Sequence, residues 1–219
     1  MLFRILDYYQ DNMKISYAIT VCNELDEITN LLNLLLKQRR KGDEIVVLFD
    51  KGNGTPEVWL RLGELSEGID CTVHSATFKN HFADWKNQLS KLCTGDYIFQ
   101  IDADEIPHRF LLDNLPSILE KNNDLEVLLV PRVNTVEGLT KEHIQKWGWN
   151  VDSKNRVNWP DYQWRIWKNT PDIKWVNKVH EKLDGFKTYA PLPDNESYAL
   201  YHEKGIKRQE KQNNYYNTL

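Results

Sequence analysis

Apolar runs and helix-like spacings alternate along the first half of the chain. Runs rich in apolar and β-branched residues predict strands at 15–21, 44–50, 70–76 and 96–101. Between them, apolar residues recur three and four positions apart and predict helices that, with their caps and stops, span 23–42, 55–68 and 82–95. Strands that are apolar throughout and alternate with helices predict an α/β fold with a mostly parallel sheet covered on both faces.

The pattern is less regular after residue 106. It predicts a helix over 107–121 that Pro116 divides in two, a strand over 125–133, short strands over 164–168, 175–180 and 197–202, and a polar helix over 206–219. The tryptophan-rich stretch from 140 to 163 favours no element. Because no repeat or low-complexity linker interrupts the chain, we predict a single domain at 14–219 after a leader at 1–13, with a nucleotide-binding half at 14–106 and a more irregular half at 107–219.

Composition narrows the class of protein without naming a reaction. Apolar residues make up 41% of the 219 positions and charged residues 27%, which is typical of a globular domain. The net charge of −4 gives no electrostatic reason to expect a nucleic acid partner. Three scattered cysteines, no signal peptide and no apolar run of about 18 residues predict a cytoplasmic protein without a transmembrane segment.

Polar clusters follow three of the predicted strands. They are Cys22-Asn23-Glu24, Asp50-Lys51-Gly52 and the acidic cluster Asp102 to Glu105. Ligands of parallel α/β sheets bind beyond the carboxyl ends of the strands. The sequence therefore predicts that these clusters share one rim of the sheet and that a ligand site lies there.

The acidic cluster places Asp102, Asp104 and Glu105 within four positions. Such crowding is unfavourable unless a positive charge lies among the carboxylates. A hard divalent cation would provide it, since Mg²⁺ and Mn²⁺ prefer carboxylate oxygens and complete their shells with water and phosphate. The alternative is a solvated loop in which the acids cap a helix that begins at Pro107.

Seven motifs in order resemble one family of enzymes. They read T-V-C-N-E (20–24), V-L-F-D-K-G (47–52), F-A-D-W-K-N (82–87), T-G-D-Y-I-F-Q-I-D-A-D-E (94–105), Q-W-R-I-W (163–167), K-V-H-E-K-L (178–183) and Y-A-L-Y-H-E (198–203). The set resembles family-two glycosyltransferases of the GT-A fold, and D-A-D-E with V-H-E resembles their small glucosyl- and heptosyltransferase-like subgroup of surface-glycan assembly. The resemblance covers residues 14–216 and implies a Rossmann-like α/β/α sandwich. The chain departs from the family where Cys22 replaces an aromatic residue and V-H-E replaces the usual x-E-D.

The resemblance implies roles for the polar residues of these motifs. The residues expected to line the base and ribose pocket are Thr20, Val21, Asn23, Glu24 and Asp50. Lys86 and Asn87 are expected to face the base or the diphosphate, and Ala103 to belong to the same binding site. Arg165, or Lys178 as its alternative, is expected to add positive charge at the diphosphate. Asp102 is expected to contact the ribose or a metal-bound water, and Asp104 to ligate Mn²⁺ or Mg²⁺ directly.

Two residues compete for each remaining role. Glu181 of V-H-E is the preferred general base, and Asp161 of W-P-D-Y is its alternative. His202 is the preferred metal-binding histidine, and His180 is its alternative.

The reaction implied by the resemblance is metal-dependent, inverting transfer of a sugar from a UDP-sugar to a hydroxyl of a glycan or other acceptor. Glucose is the favoured sugar, and the oligomeric state is not predicted. Two other classes stay open: a nucleotidyltransferase, and a non-catalytic module that binds nucleotide sugars. The first is disfavoured because T-V-C-N-E-L-D-E has no glycine-rich basic loop to hold a triphosphate.

Overall fold

A computed structural model describes residues 13–67 and 71–216 of the chain. The strands in these residues are β1 (Ile15–Val21), β2 (Glu44–Asp50), β3 (Cys71–Ala76), β4 (Tyr97–Asp102), β5 (Ile106–Pro107), β6 (Val127–Val130), β7 (Arg132–Glu137), β8 (Gln163–Lys168), β9 (Lys174–Val176), β10 (Lys182–Asp184), β11 (Tyr189–Pro191) and β12 (Leu200–Gly205). The helices are α1 (Leu25–Gln38), α2 (Pro56–Ser66), α3 (Phe82–Ser90), α4 (Arg109–Lys121), α5 (Lys141–Trp147) and α6 (Ile206–Tyr216).

A seven-stranded sheet runs through the centre of the molecule in the order β11-β6-β8-β4-β1-β2-β3. The four strands of the first half are parallel to one another, and β8 alone runs against its neighbours β4 and β6. A single domain with a mostly parallel α/β sheet is thus confirmed. Because β1 lies between β2 and β4, the loops that follow these three strands are neighbours at one edge.

Helices cover both faces of this sheet. Successive side chains of a strand point to opposite faces; on β1, Ile15, Tyr17 and Ile19 join the core beneath α1, α2 and α4, whereas Ala18 joins the core beneath α3. The second face is completed by the antiparallel pair of β9 and β10, which contributes Trp175 and Leu183.

A second, three-stranded sheet brings the second half of the chain to the rim where a ligand site is predicted. Its order is β5-β12-β7, and β12 is parallel to β7 with His202 opposite Asn134. The final helix, α6, follows β12 directly. No helix in the described residues is long and apolar enough to cross a bilayer.

The strands predicted at 15–21 and 44–50 are confirmed with the same bounds. Those predicted at 70–76 and 96–101 are observed at 71–76 and 97–102, within one residue. The predicted stop at Gly68, the strand start at Asp70, residues 1–12 of the leader and the end of the last helix lie outside the described residues.

Two predictions about prolines were wrong. Helix α4 is continuous through Pro116, because Leu111, Leu115 and Leu119 are buried on the same side and hold the helix across the missing N–H donor. The strand predicted over 125–133 is instead broken at Pro131. Since proline cannot donate to a ladder, the chain leaves the large sheet at β6 and enters the small one as β7.

Further predicted bounds were also wrong. The helix predicted to end at Gly95 ends at Ser90. Asn23 does not cap α1; the cap residue is Glu24, whose carboxylate accepts the backbone N–H groups of Cys22 and Asn23. The strand predicted over 175–180 ends at Val176, because Asn177 and His180 adopt left-handed backbone conformations that interrupt a strand. The stretch at 197–202 divides into a short 3-10 helix, Glu196–Tyr198, and the start of β12.

Candidate active site

A cleft of about 1190 Å³ opens beyond the carboxyl ends of β1, β2 and β4. All but two of the residues predicted from the sequence line it, namely Thr20, Val21, Asn23, Glu24, Asp50, Lys86, Asp102, Ala103, Asp104, Asp161, Arg165, His180, Glu181 and His202. The three polar clusters that follow the strands therefore do meet at one rim of the sheet.

The two exceptions are Lys178, the alternative to Arg165, and Asn87. Asn87 is held elsewhere by its own hydrogen bonds. Its side-chain amide donates to the backbone carbonyl of Trp175 at 2.9 Å and accepts the backbone N–H of the same residue at 2.9 Å. Both polar groups of Asn87 are thus used to tie α3 to β9, and the expected contact with a base or diphosphate finds no support in this geometry.

Asp50 shapes the end of the cleft that follows β2. Its carboxylate accepts backbone N–H groups from Gly52 at 2.9 Å and Phe78 at 3.0 Å, and the side-chain amide of Asn53 at 2.8 Å. Cys22 lies beside it, with its Sγ 4.0 Å from Asp50 Oδ2. Burial, with the negative charges of Glu24 and Asp50, raises the pKa of the Cys22 thiol to about 11, so it stays protonated at neutral pH.

Asp102 ends β4 between two cations. Its Oδ2 lies 2.6 Å from Arg165 Nη2, and its Oδ1 lies 3.7 Å from Lys86 Nζ. Burial alone would raise the pKa of Asp102, but the charges of Arg165 and Lys86 outweigh burial and hold that pKa well below its usual range. Asp102 is therefore ionised at any pH at which the protein works.

Glu105 does not cap a helix, which corrects the alternative reading of the acidic cluster. It is fully buried; its Oε1 lies 2.6 Å from Arg165 Nη2 and 3.0 Å from Arg132 Nη1, and its Oε2 accepts the backbone N–H of Asp102 at 3.1 Å. Helix α4 begins two residues beyond Pro107, and its cap is His108. The buried carboxylate of Glu105 therefore fixes the turn that follows β4.

Asp104 faces the cleft and has three positively charged or ionisable neighbours on one oxygen. Its Oδ2 lies 3.2 Å from His202 Nε2, 3.3 Å from Arg208 Nη2 and 3.7 Å from Lys204 Nζ. Burial would raise the pKa of Asp104, but the hydrogen bond and charge of His202 with the charges of Lys204 and Arg208 hold it far below its usual range. The protein's own cations thus already balance the acidic cluster, so its charge does not by itself require a metal ion.

The orientation of His202 nevertheless fits a metal ligand. Its Nδ1 lies 2.7 Å from Asn134 Oδ1, while Asn134 Nδ2 donates to Asp161 Oδ2 at 2.7 Å. Because the Asp161 carboxylate can only accept a hydrogen bond, the amide nitrogen of Asn134 faces Asp161 and the amide oxygen faces His202. The His202 imidazole must therefore donate from Nδ1. Nε2 then points to Asp104, and the two side chains would be the residues that hold a metal ion.

Asp104 and His202 together offer one carboxylate oxygen and one imidazole nitrogen. Within residues 13–67 and 71–216 no group of three or more His, Cys, Asp or Glu side chains converges as a closed metal site. Two protein ligands do suit Mn²⁺ or Mg²⁺ that arrives with a diphosphate, because such ions keep water and phosphate oxygens in their remaining positions. His180 lines the same cleft, but the histidine paired with Asp104 is His202.

The two candidate bases differ in their surroundings. Both oxygens of Asp161 are engaged: Oδ2 with Arg132 Nη2 at 2.7 Å and Asn134, and Oδ1 with Gln163 Nε2 at 2.9 Å. Glu181 lies 2.6 Å from Lys86 Nζ, which also stands 4.6 Å from the centre of the Trp175 ring. Asp161 is thus held by three neighbouring side chains, whereas the contact that the structure gives Glu181 is with Lys86.

Sequence reasoning missed Arg132, Asn134, Lys204 and Arg208. A signal existed for three of them: Arg132 and Asn134 alternate along β7, and Lys204 follows His202 at the same spacing along β12, so each pair lies on one face. Arg208 gave no such signal, because its place depends on α6 lying against the cleft.

Comparison with known proteins places the chain in a family. The family model described as "Glycosyl transferase family 2" matches residues 16–190, and the chain belongs to this family. A search of curated proteins found no significant match. Among solved structures, TarS 1–349 of S. aureus is similar, with a TM-score of 0.62 and 17% identity over 87% of this chain and 60% of that one.

The same TarS fragment in complex with UDP-GlcNAc is similar with a TM-score of 0.63 and 19% identity, over 88% of this chain and 59% of that one. At such identities the likeness shows the shared fold, which agrees with the predicted Rossmann-like sandwich. The chain spans about three fifths of the TarS fragment that it matches.

Proposed function

We propose that the protein is a metal-dependent, inverting glycosyltransferase of the small surface-glycan subgroup, moving a sugar from a UDP-sugar to an acceptor hydroxyl. The observation that carries the proposal is the pairing of Asp104 with His202 at 3.2 Å in the same cleft as the ionised pair of Lys86 and Glu181. The same cleft thus contains a candidate metal site for the sugar donor and a candidate carboxylate to accept the acceptor's proton. The similar structure of TarS with UDP-GlcNAc supports a UDP-sugar as the donor class.

The nucleotide would lie along the ends of β1 and β2. Thr20, Val21 and Asn23 line that part of the cleft, and Asp50 holds the turn that bounds it. Phe78 and Trp85 also line the cleft and offer aromatic surface. Asp102 is directed by Arg165 and Lys86 at the end of β4, where it would contact the ribose.

Asp104 and His202 would hold Mn²⁺ or Mg²⁺. When bound, such an ion supplies a Lewis acid that stabilises the departing diphosphate. The chain's own part would be to hold both ligands in place, through Glu105, which accepts the backbone N–H of Asp102 in the same turn as Asp104, and through Asn134 behind His202.

Glu181 would act as the general base. The acceptor oxygen forms a bond with the anomeric carbon on the face opposite the diphosphate, the bond from that carbon to the phosphate oxygen breaks, and the acceptor proton passes to the Glu181 carboxylate. Displacement in one step inverts the anomeric carbon. Lys86, 2.6 Å away, holds the Glu181 carboxylate in position.

A donor-turnover assay tests the proposal. UDP release would be measured with UDP-glucose and UDP-GlcNAc, with and without Mn²⁺, for the parent and for Asp104→Ala. We expect metal-dependent release that falls about a hundredfold or more in the variant. Asp113→Ala is the matched control, since Asp113 lies on the surface of α4 and pairs only at 3.4 Å with Arg109.

Two outcomes would overturn parts of the proposal. Equal turnover in the parent and Asp104→Ala would remove the metal assignment. Binding of UDP without release of sugar from any UDP-sugar, with acceptor glycans present, would favour the non-catalytic binding module.

A further inference from the structure

Three groups crowd one carboxylate oxygen of the candidate metal site. Besides His202, the side chains of Lys204 and Arg208 reach Asp104 Oδ2, at 3.7 and 3.3 Å. Two full positive charges on a single carboxylate exceed what its neutralisation needs. Asp104 therefore carries more cationic partners than a purely structural ion pair would require.

The two cations are held in different ways. Lys204 is almost buried in β12, and its Nζ donates to Gln212 Oε1 at 2.6 Å. Arg208 is 37% exposed near the start of α6 and also lies 2.6 Å from Glu27 and 3.4 Å from Glu24, at the beginning of α1. Glu27 is thus a second ion-pair partner for Arg208, and Arg208 would keep this partner on leaving Asp104.

A divalent ion at Asp104 would meet these cations at close range. Adding two positive charges beside Lys204 and Arg208 is unfavourable, because like charges repel strongly where water is largely excluded. A diphosphate brings negative charges that match both the ion and the two side chains. The charge that a metal ion adds to the cleft is thus balanced only when the diphosphate is bound with it.

We propose that Lys204 and Arg208 form the diphosphate-binding cations of the cleft and occupy Asp104 while no nucleotide is bound. This inference rests on the proposed function and adds to it the residues that grip the diphosphate. Arg208 competes with the metal ion for Asp104 in the nucleotide-free protein and moves to the diphosphate when the nucleotide arrives. Metal and UDP consequently bind with positive coupling, each raising the affinity of the other by the same factor.

Calorimetric titration of Mn²⁺ and of UDP tests this assignment without any turnover. The parent should bind Mn²⁺ weakly alone and about tenfold or more tightly with UDP present. In Arg208→Ala, Mn²⁺ alone should bind several-fold more tightly than in the parent, because its competitor is gone, while UDP with Mn²⁺ should bind roughly tenfold more weakly. These opposite changes are not expected from loss of folding.

The control is Lys207→Ala, which removes a neighbouring exposed cation of α6 that does not line the cleft. Arg208→Gln, which keeps side-chain length, replaces the alanine variant if the latter unfolds. Unchanged affinities in the Arg208 variants, or a fall in both, would overturn the inference while leaving a turning-over parent and the proposed function intact. A parent that binds neither UDP nor Mn²⁺ would overturn both.

Discussion

The side-chain amide of Asn134 has two different neighbours, and one orientation satisfies both. Arg132 fixes Asp161, Asp161 receives the amide nitrogen, and the amide oxygen receives the imidazole N–H of His202. Hydrogen-bond partners behind a metal-binding histidine set its tautomer and ring direction. Asp161 can thus affect metal binding although it lies two side chains away from Asp104.

Replacing Asp161 with asparagine should weaken Mn²⁺ binding in the presence of UDP by about ten- to a hundredfold. The new amide no longer requires a donor from Asn134, so the direction of His202 is lost. Titration with Mn²⁺ measures the change, and excess Mn²⁺ should restore much of the turnover. If Asp161 were instead the general base, added metal would restore nothing.

Glu181→Gln should lower turnover without weakening ligand binding, in contrast to the weaker Mn²⁺ binding expected when Asp161 is replaced by asparagine. We expect turnover to fall by about a hundredfold or more, because glutamine cannot accept the acceptor's proton, whereas the affinity for UDP with Mn²⁺ stays within about twofold. Lys86 keeps an oxygen partner in this variant, which limits structural change. Parent-like transfer by Glu181→Gln would exclude it as the base.

The local sequence could predict that Asp104 lies at the cleft but not the role of Glu105. D-A-D-E marks a group of carboxylates at the end of a strand, and strand geometry predicts the rim on which they lie. Which carboxylate is buried depends on Arg132 and Arg165, which approach from strands 27 and 60 residues later. No local pattern encodes such partners.

At the scale of elements, β1 and β2 begin in a shared hydrogen-bond network. Glu44 receives Lys14 Nζ at 2.7 Å, the hydroxyl of Ser16 at 2.6 Å and the backbone N–H of Thr94 at 2.6 Å. Burial acts to raise the pKa of Glu44, but these donors outweigh it and lower the pKa to about 2. The carboxylate therefore stabilises the fold only while it is ionised.

The stability that Glu44 contributes should depend on pH in one direction. Its pKa is lower in the folded chain than in the unfolded chain, so the contribution is complete above about pH 5 and is lost as the pH falls towards 2. Urea unfolding should show Glu44→Gln to be less stable than the parent by about 1–3 kcal/mol at pH 7. A difference that persists unchanged at pH 2.5 would contradict this account.

Gly95 lies where the chain enters β4 against the start of β1. A Cβ atom there would stand 2.8 Å from the Ser16 backbone nitrogen and 2.9 Å from the Lys14 carbonyl oxygen. Gly95→Ala should therefore lower the free energy of unfolding by about 1–3 kcal/mol. Gly63→Ala in α2 is the matched control; its Cβ meets nothing within 4 Å, so it should be neutral or stabilise by about 0.5–1 kcal/mol.

The first half of the fold was predictable because β1, β2 and β4 are buried on both faces and read as apolar runs. The second half was not, because its strands are short and belong to three sheets. Pro131 shows the difference: Leu125 to Val133 looks like one strand, yet the proline transfers the chain between sheets and thereby brings Arg132 and Asn134 to the cleft.

At the scale of the whole molecule, the charged residues that line the cleft say more about its ligand than the net charge of −4 does. Six cationic side chains line the cleft: Lys86, Arg132, Arg165, Lys204, Arg208 and Lys211. Seven carboxylates face them: Glu24, Glu27, Asp50, Asp102, Asp104, Asp161 and Glu181. A cleft so nearly neutral suits a donor whose two phosphate charges are balanced by a divalent ion.

The Michaelis constant for the donor with Mn²⁺ should accordingly change little with ionic strength, by less than about threefold between 50 and 200 mM KCl, because a neutral complex gains little from long-range attraction. Initial rates at constant free Mn²⁺ measure it. A rise of about tenfold or more over that interval would indicate an attractive basic cleft instead.

Helix α6 is joined to both walls of the cleft, through Arg208 to Glu27 on one side and through the hydroxyl of Tyr215 to Asn80, 3.0 Å away, on the other. In the proposed reaction, the nucleotide left after sugar transfer would leave past this helix. We expect its departure to require these contacts to break, which makes the opening of α6 a kinetic step separate from bond cleavage. Spent UDP would then linger in the cleft, and the enzyme would be slowed by its own product.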